Sequence, residues 1–155
     1  MAEYTSFSAV YDVFLSKITD DMYMELYPEE TNDLLEALLL GALPWFEFPK
    51  VNITDYDLTN ESFNVSLSNE EKNILATYMI SEWMGQQLAS VENTRMKYSG
   101  SDFKFTSQAA HMDKILKIRD AYQAEGFHLQ RLYKRRVQDD NGRMVSTFGQ
   151  MMEKF

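Results

Sequence analysis

The segment that begins at Ser68 constrains the fold of this chain more than any other. The sequence Ser68-Asn69-Glu70-Glu71 has the capping-box pattern, in which the serine hydroxyl and the carboxylate three residues later each accept a hydrogen bond from the other residue's backbone N–H. A broad apolar stripe follows at helical spacing: Ile74, Leu75, Tyr78, Met79, Trp83, Met84, Leu88 and Val91. Because a stripe this wide is buried only when other elements cover it from several sides, the pattern predicts a central helix.

Two shorter helices are predicted before the central one. Ser6 or Ser8 can cap the first, whose apolar residues recur at three- and four-residue steps until Asp20-Asp21. Tyr27-Pro28 opens the second, where proline suits the first turn. Pro44 ends it, because proline cannot donate the next helical hydrogen bond.

A long helix is predicted after the central one, from Thr106 or Ser107 to about Arg136, beyond a flexible connection around Gly100. Gly126 lies within this helix and marks either a weak point or a close crossing with another helix. Together these patterns predict a mainly α protein, a helical bundle of about four helices.

The segment 50–67, between the second and third helices, has a different period. Val51 and Ile53, and later Phe63 and Val65, alternate with polar residues, which is typical of strands. The pattern predicts a β-hairpin or extended arm. The alternative is a long loop that lies on the helices.

The C-terminal part follows a different pattern from the helical part. Asp140-Asn141-Gly142-Arg143 predicts a turn, because Asn-Gly adopts positive φ at little cost. The next apolar residues would share one face of a short helix: Met144, Phe148, Met151 or Met152, and Phe155. We therefore expect a helical domain over residues 1–137 and a tail over residues 138–155 that finishes folding against a partner.

Charge is divided along the chain. Residues 1–91 contain 16 acidic and 3 basic side chains, and residues 92–155 contain 8 acidic and 12 basic ones. A small protein with such a division is expected to meet copies of itself, or a stacked partner, in a fixed polarity.

The end of the long helix carries four basic residues in six, Arg131-Leu132-Tyr133-Lys134-Arg135-Arg136. One or two cations would suffice to complement the helix dipole. The cluster is therefore either a docking end or a merely solvated group of charges.

Catalytic and cofactor chemistry has little support in the sequence. The chain has no cysteine and two histidines, so thiolate metal sites and cysteine nucleophiles are excluded. Glu125 and His128 match half of a di-iron pattern, but no second such pair accompanies them, and a surface contact is the simpler explanation. We expect no enzyme activity, no metal and no cofactor.

Membrane and nucleic-acid roles are also disfavoured. The longest apolar stretch, residues 34–46, is far shorter than the roughly 20 residues of a spanning helix. The net charge of −9 disfavours a protein whose main task is to neutralise phosphates. One alternative stays open: residues 95–105 interleave aromatic and cationic side chains, and with the basic helix end they would form a nucleic-acid-binding module.

Two stretches carry a family resemblance. Residues 91–104, VENTRMKYSGSDFK, and residues 130–136, QRLYKRR, resemble the helical head–tail connector, or adaptor, proteins of tailed bacteriophages, as does the order of parts. The resemblance implies a dodecameric ring in the virion neck, assembled in the host cytoplasm. This ring would lie between the portal protein and a tail-side neck protein, a stopper or tail terminator.

The resemblance also assigns roles to residues. DNA would pass through the ring without specific binding, beside acidic residues of the first 91 positions. Portal docking would fall to the last helix and tail: Arg131, Tyr133, Lys134, Arg135, Arg136, Met144, Phe148, Met151 and Phe155. The arm residues that would reach a neighbouring subunit are Val51, Ile53, Phe63 and Val65.

Overall fold

The computed structural model describes residues 4–19, 22, 30–97 and 105–148. Over these residues the chain is mainly helical, with two small antiparallel sheets. The helices are α1 (Phe7–Lys17), α2 (Thr31–Ala42), α3 (Asn69–Lys97) and α4 (Phe105–Arg135), and a 3-10 turn (Leu43–Trp45) extends α2. The strands are β1 (Thr5–Ser6), β2 (Tyr56–Asp57), β3 (Ser62–Phe63), β4 (Arg136–Gln138) and β5 (Met144–Ser146). Among the described residues, no helix is both long and apolar enough to cross a membrane.

Helix α3 is the centre of the fold, as the sequence predicts. It packs against α1, α2 and α4, and its residues from Ile74 to Ser81 are all buried. Its start has the predicted capping box: the Ser68 N–H donates to Glu71 Oε1 over 2.8 Å, and the Glu71 N–H donates to Ser68 Oγ over 3.2 Å. The local sequence therefore fixes where the central helix begins.

Helix α4 runs antiparallel to α3, because Tyr133 near its end contacts Glu71 and Gln130 contacts Tyr78. The crossing is closest at Gly126, where an added Cβ would lie 2.7 Å from Cζ of Tyr78. Of the two roles that the sequence allowed for Gly126, the close crossing is the one observed.

The segment 50–67 does form a hairpin, in which β2 pairs with β3, but β1 pairs with the other edge of β3. This sheet covers the core. Ile53 is 3% exposed and Phe63 is fully buried, whereas Val51 and Val65 are partly buried against the same core. The predicted assignment of these four residues to a reaching arm is therefore wrong for Ile53 and Phe63, because packing within the chain already uses both side chains.

The C-terminal part departs from the sequence prediction at Met144. Residues 144–146 form β5, paired with β4, instead of a helix that begins at Met144. The predicted turn is present, and Gly142 has a φ of +78°, which glycine adopts without strain. Because β4 begins at Arg136, this hairpin continues directly from α4 and includes the expected boundary at residue 137.

Several helix boundaries differ from the predicted ones. Helix α3 continues to Lys97, through a stretch that has no sustained apolar stripe, and α4 begins at Phe105, before either of its predicted caps. Helix α4 ends at Arg135, close to the predicted Arg136, and α1 ends at Lys17, within the limit that Asp20-Asp21 set. The predicted start of α2 at Tyr27-Pro28 and the predicted connection around Gly100 lie outside the described residues.

Candidate docking surface

Residues 45–50, which we call the strap, connect the end of the 3-10 turn to the β2–β3 hairpin and lie against the last turns of α4. Gln130 of α4 is 4% exposed and binds the strap twice: its Nε2 donates to the Trp45 carbonyl over 2.8 Å, and its Oε1 accepts from the Glu47 N–H over 2.9 Å. The same Nε2 also lies 2.6 Å from the Tyr78 hydroxyl oxygen. The strap is therefore held by hydrogen bonds to a buried amide.

Tyr133 is the second residue of α4 that holds the strap. It is 3% exposed, its hydroxyl donates to Glu71 Oε2 over 2.9 Å, and it accepts from the Lys50 N–H over 2.8 Å. Its ring meets the Phe46 ring edge-on, with centroids 5.3 Å apart. Burial raises the pKa of the Tyr133 hydroxyl above its usual range, and the nearby Glu71 carboxylate raises it further. The sequence placed Tyr133 in the docking surface, but in the folded chain it supports that surface from below.

An exposed row of aromatic and cationic side chains lies where the strap meets α4. We call Phe48, Phe127, Arg131 and Lys134 the ridge. The Lys134 ammonium lies 4.0 Å from the centre of the Phe48 ring, and the Arg131 guanidinium lies 5.5 Å from the centre of the Phe127 ring. Phe48 is 62% exposed and Phe127 is 51% exposed. Apolar rings held open to water beside cations are typical of binding surfaces.

Trp45 extends the apolar character of this side of the molecule. It is 42% exposed, stacks on the Tyr78 ring at 5.8 Å, and donates from Nε1 to Glu82 Oε1 over 2.8 Å. Both its ring face and its N–H are thus fixed by residues of α3, which gives the strap a rigid first residue.

The basic cluster at the end of α4 is divided by its contacts. Arg136 pairs with Glu70 of α3, and the Lys50 ammonium binds the Tyr133 carbonyl at 3.2 Å and the Arg136 carbonyl. Arg131, Lys134 and Arg135 are exposed and make no ion pair within the described part of the chain. Three cations therefore remain available to a partner.

The division of charge along the sequence is not a division between the two ends of the molecule. Because α3 and α4 are antiparallel, the acidic start of α3 lies beside the basic end of α4, and Glu70 neutralises Arg136 there. Helix α2, which carries Asp33 and Glu36, contains no lysine or arginine.

The β4–β5 hairpin and its continuation form the most exposed apolar part of the described chain. Met144 is 58% exposed and Phe148 is 70% exposed. Met144 also borders an open cleft of about 630 Å³ whose other walls include Glu71, Tyr133 and Val137. We call Arg135, Met144 and Phe148 the docking end. The predicted docking residues Met151 and Phe155 lie outside the described residues.

The half di-iron pattern does not develop into a site. Glu125 and His128 are both exposed, and His128 Nδ1 lies 3.5 Å from Arg131 NH2. Within the described residues, no group of three or more histidine, aspartate or glutamate side chains is arranged to hold a metal ion.

Phe48, Phe127 and Trp45 are the surface residues that sequence reasoning did not assign. Phe48 was visible as an aromatic residue between two prolines, and Phe127 as an aromatic residue one turn before Arg131. Their role depends on how the strap lies on α4, which is a contact between residues about 80 positions apart and has no local pattern.

Comparison of the chain with protein-family models, with curated proteins and with solved structures gave no match.

Proposed function

We propose that this chain is a structural assembly protein, a head–tail connector subunit of a tailed bacteriophage, which joins a portal protein to a tail-side neck protein. The observation that carries this proposal is the docking end, where Met144 on the hairpin, Phe148 just after it and Arg135 at the end of α4 are exposed, and Arg135 makes no ion pair within the described residues. A soluble domain gains no stability from such exposure, whereas a partner that covers it removes apolar surface from water.

The docking end is also well supported for this role. The hairpin continues from α4, which is fixed to α3 through Tyr133 and Glu71, so its first strand leaves a rigid element. Its turn is closed by Asp139, whose carboxylate accepts from the N–H groups of Asn141 and Arg143 at 2.9 and 2.8 Å. A preorganised hairpin loses little conformational entropy on binding, which favours affinity.

The other parts of the proposal follow from the family resemblance. Copies of the chain would form a dodecameric ring in the virion neck, with acidic side chains of the first 91 residues near the DNA that passes through. Like charges would keep the DNA from binding. Leu58 at the tip of the β2–β3 hairpin, 49% exposed, replaces Ile53 and Phe63 as the residue of segment 50–67 available to a neighbour.

Cosedimentation of the full chain with purified portal rings tests the docking role. We expect the wild-type chain to bind, and the double substitution Met144→Asp, Phe148→Asp to weaken binding by about 10-fold or more, because both lose apolar contacts at the interface. Tyr4→Asp is the matched control, since Tyr4 is 63% exposed on β1's side of the molecule and does not belong to the docking end. Equal binding by the wild type and the double variant would refute this role.

A nucleic-acid-binding module is the second candidate, favoured by the two cation–ring pairs of the ridge. A salt series of single-stranded DNA binding distinguishes it from docking. Strong binding at low salt that Arg131→Ala with Lys134→Ala abolishes would support this second function instead.

A further inference from the structure

The side chains of the ridge would be complemented by a partner surface that is acidic and partly apolar. Its two cations make no ion pair in the described chain, and its two phenylalanine rings are half exposed or more. Phe127, Arg131 and Lys134 are spaced four and three residues apart on α4, so they form a continuous face about 10 Å long. Arginine and aromatic side chains are the residues most enriched in the energetic centres of protein interfaces.

The same chain carries a surface of the complementary kind. Asp33 and Glu36 lie three residues apart on α2, and Glu61 follows at the tip of the β2–β3 hairpin, where it accepts from Asn32 Nδ2 over 2.5 Å. We call these three carboxylates the acidic patch. Residues 30–49 and 51–71, which form α2, the strap's first part and the hairpin, contain no lysine or arginine. Leu58, exposed at the same hairpin tip, adds an apolar contact.

A buried hydroxyl without a hydrogen-bond partner in the described chain lies close to two carboxylates of the acidic patch. Tyr11 is 5% exposed, and its hydroxyl is the buried side-chain polar atom without a hydrogen-bond partner in the described chain. Glu36 and Glu61 are near enough to act on this hydroxyl electrostatically. A cation brought to the patch from outside would offset the negative potential of the two carboxylates at Tyr11.

We propose that the ridge of one copy of this chain binds the acidic patch of a second copy. The cations Arg131 and Lys134 then meet Asp33, Glu36 and Glu61, and the rings of Phe48 and Phe127 meet Leu58. This inference rests on the proposed function, because it names the contact that builds the assembly. It also leaves the docking end free for the portal.

The two surfaces are different, so the contact is heterologous. Each copy offers its ridge to one neighbour and its acidic patch to another, and such head-to-tail contacts build closed rings or open chains instead of isolated dimers. The strap is rigid through Gln130 and Tyr133, so Phe48 is presented in one position to every neighbour.

Sedimentation velocity of the full chain over a concentration series, at about 0.05 M and about 0.5 M salt, tests this contact. We expect the wild type to associate with rising concentration, and less so at the higher salt. Arg131→Glu with Lys134→Glu reverses the ridge, and Asp33→Lys with Glu36→Lys reverses the acidic patch. Each double variant alone then faces like charges at its contact, and its self-association is expected to weaken by about 10-fold or more.

An equimolar mixture of the two double variants is the decisive sample. In the mixture the reversed ridge of one variant meets the reversed patch of the other, and the two unchanged surfaces also match, so association is expected to return. This recovery also shows that both variants are folded. Lys117→Glu is the control, since Lys117 is exposed on α4 about 25 Å along the helix from Lys134 and pairs with Asp113. It should associate as the wild type does.

Three outcomes would overturn the inference: a wild type that stays monomeric at every concentration, double variants that associate as the wild type does, or a mixture that stays monomeric. Single-stranded DNA that binds the wild type but not the reversed ridge, without self-association, would assign the ridge to nucleic acid and also overturn it. If the wild type stays monomeric but binds portal rings, the contact between copies is wrong and the proposed function stands. If the wild type self-associates but does not bind portal rings, the proposed function is wrong and the contact between copies stands.

Discussion

Tyr11 and Tyr133 are both almost fully buried, but the regions around them are stabilised in different ways. Around Tyr11, α1 and the three-stranded sheet meet through aromatic edges, with the Phe7 and Phe63 rings 5.0 Å apart, and the Tyr11 hydroxyl has no hydrogen-bond partner among the residues that the structure describes. Around Tyr133, the strap, the start of α3 and the end of α4 are joined by hydrogen bonds to buried side chains. The burial of a polar atom is thus compensated in one region and uncompensated in the other.

The difference explains why the second region is suited to present a surface. Apolar contacts are not directional, whereas a network of short hydrogen bonds fixes the orientation of the groups that it joins. The ridge and the docking end both lie on the region with the network. Its geometry depends on a few atoms, which the following substitutions test.

Removal of the Glu71 carboxylate is expected to have the largest effect. Glu71→Ala removes one of the two hydrogen bonds of the capping box of α3 and leaves the buried Tyr133 hydroxyl without its acceptor, so we expect a loss of about 3 kcal/mol in the free energy of unfolding. Urea denaturation measures it. Glu70→Ala is the control, because the Glu70–Arg136 pair is half exposed and contributes less than about 1 kcal/mol. Equal losses for the two variants would show that the network adds nothing.

Gly126→Ala tests the close crossing of α3 and α4. The new Cβ would lie 2.7 Å from Cζ of Tyr78, whose ring is held by Trp45 and Gln130, and we expect a loss of about 2 kcal/mol. Gly85→Ala in α3 is the matched control. Nothing lies within 4 Å of its Cβ, so higher helix propensity should stabilise the chain by up to about 1 kcal/mol. Thermal unfolding should show a lower midpoint for Gly126→Ala and a higher one for Gly85→Ala than for the wild type. A Gly126→Ala variant as stable as the wild type would contradict the observed crossing.

Tyr133→Phe removes one hydroxyl from the network. It leaves Glu71 Oε2 and the Lys50 N–H without their partner, and the expected loss is about 1.5 kcal/mol. Urea denaturation measures the loss, and binding of the portal should weaken with it if the network positions the docking end. An unchanged stability would mean that water replaces the hydroxyl without cost.

Tyr11→Phe is expected to raise the free energy of unfolding, whereas Tyr133→Phe lowers it. The hydroxyl has no hydrogen bond to lose, and its removal ends the cost of burying an unpaired polar atom, so stability should rise by about 0.5 to 1 kcal/mol. A destabilised Tyr11→Phe variant would reveal a hydrogen bond to this hydroxyl and would end the contrast between the two regions.

Alkaline pH gives the smallest effect, which is absent at neutral pH. Burial raises the folded-state pKa of both Tyr11 and Tyr133, whereas tyrosine in an unfolded chain ionises near about 10. The unfolded state therefore loses protons first, and stability should be constant below about pH 10 and fall as the pH rises toward the folded-state values. Urea midpoints of the wild type and Tyr11→Phe at about pH 8 and about pH 10.5 test this, and the fall should be smaller in the variant. Equal slopes would indicate that Tyr11 ionises normally in the folded chain.

Local signals predicted the parts of the fold that depend on neighbouring residues. The capping box at Ser68, the turn at Gly142 and the central position of α3 all follow from patterns within a few turns of chain. The extent of α3 to Lys97 did not, because its last turns have no apolar stripe. Met144 was wrongly placed in a helix because its apolar spacing suits a helix as well as an edge strand that starts after a turn.

Long-range pairing explains the remaining differences. The β2–β3 pairing was predicted, but β1 has two residues and lies more than 50 residues before β3, so no local pattern indicates that these two pair. The burial of Ile53 and Phe63 depends on the core beneath this sheet, which no local pattern shows either. Only part of the candidate surface could be predicted from the sequence. The cations Arg131 and Lys134 were visible in one short basic run. Phe48 lies beside Lys134 only because Gln130 and Tyr133 hold the strap.

The two oxygens of Glu71 also set an order of events during synthesis. Oε1 accepts from the N–H of a neighbour three residues away, so this bond needs only the local segment. Oε2 accepts a hydrogen bond from the hydroxyl of Tyr133, which is synthesised 62 residues later. The network that supports the ridge therefore cannot be complete before the end of α4 has been synthesised, after the whole of α3.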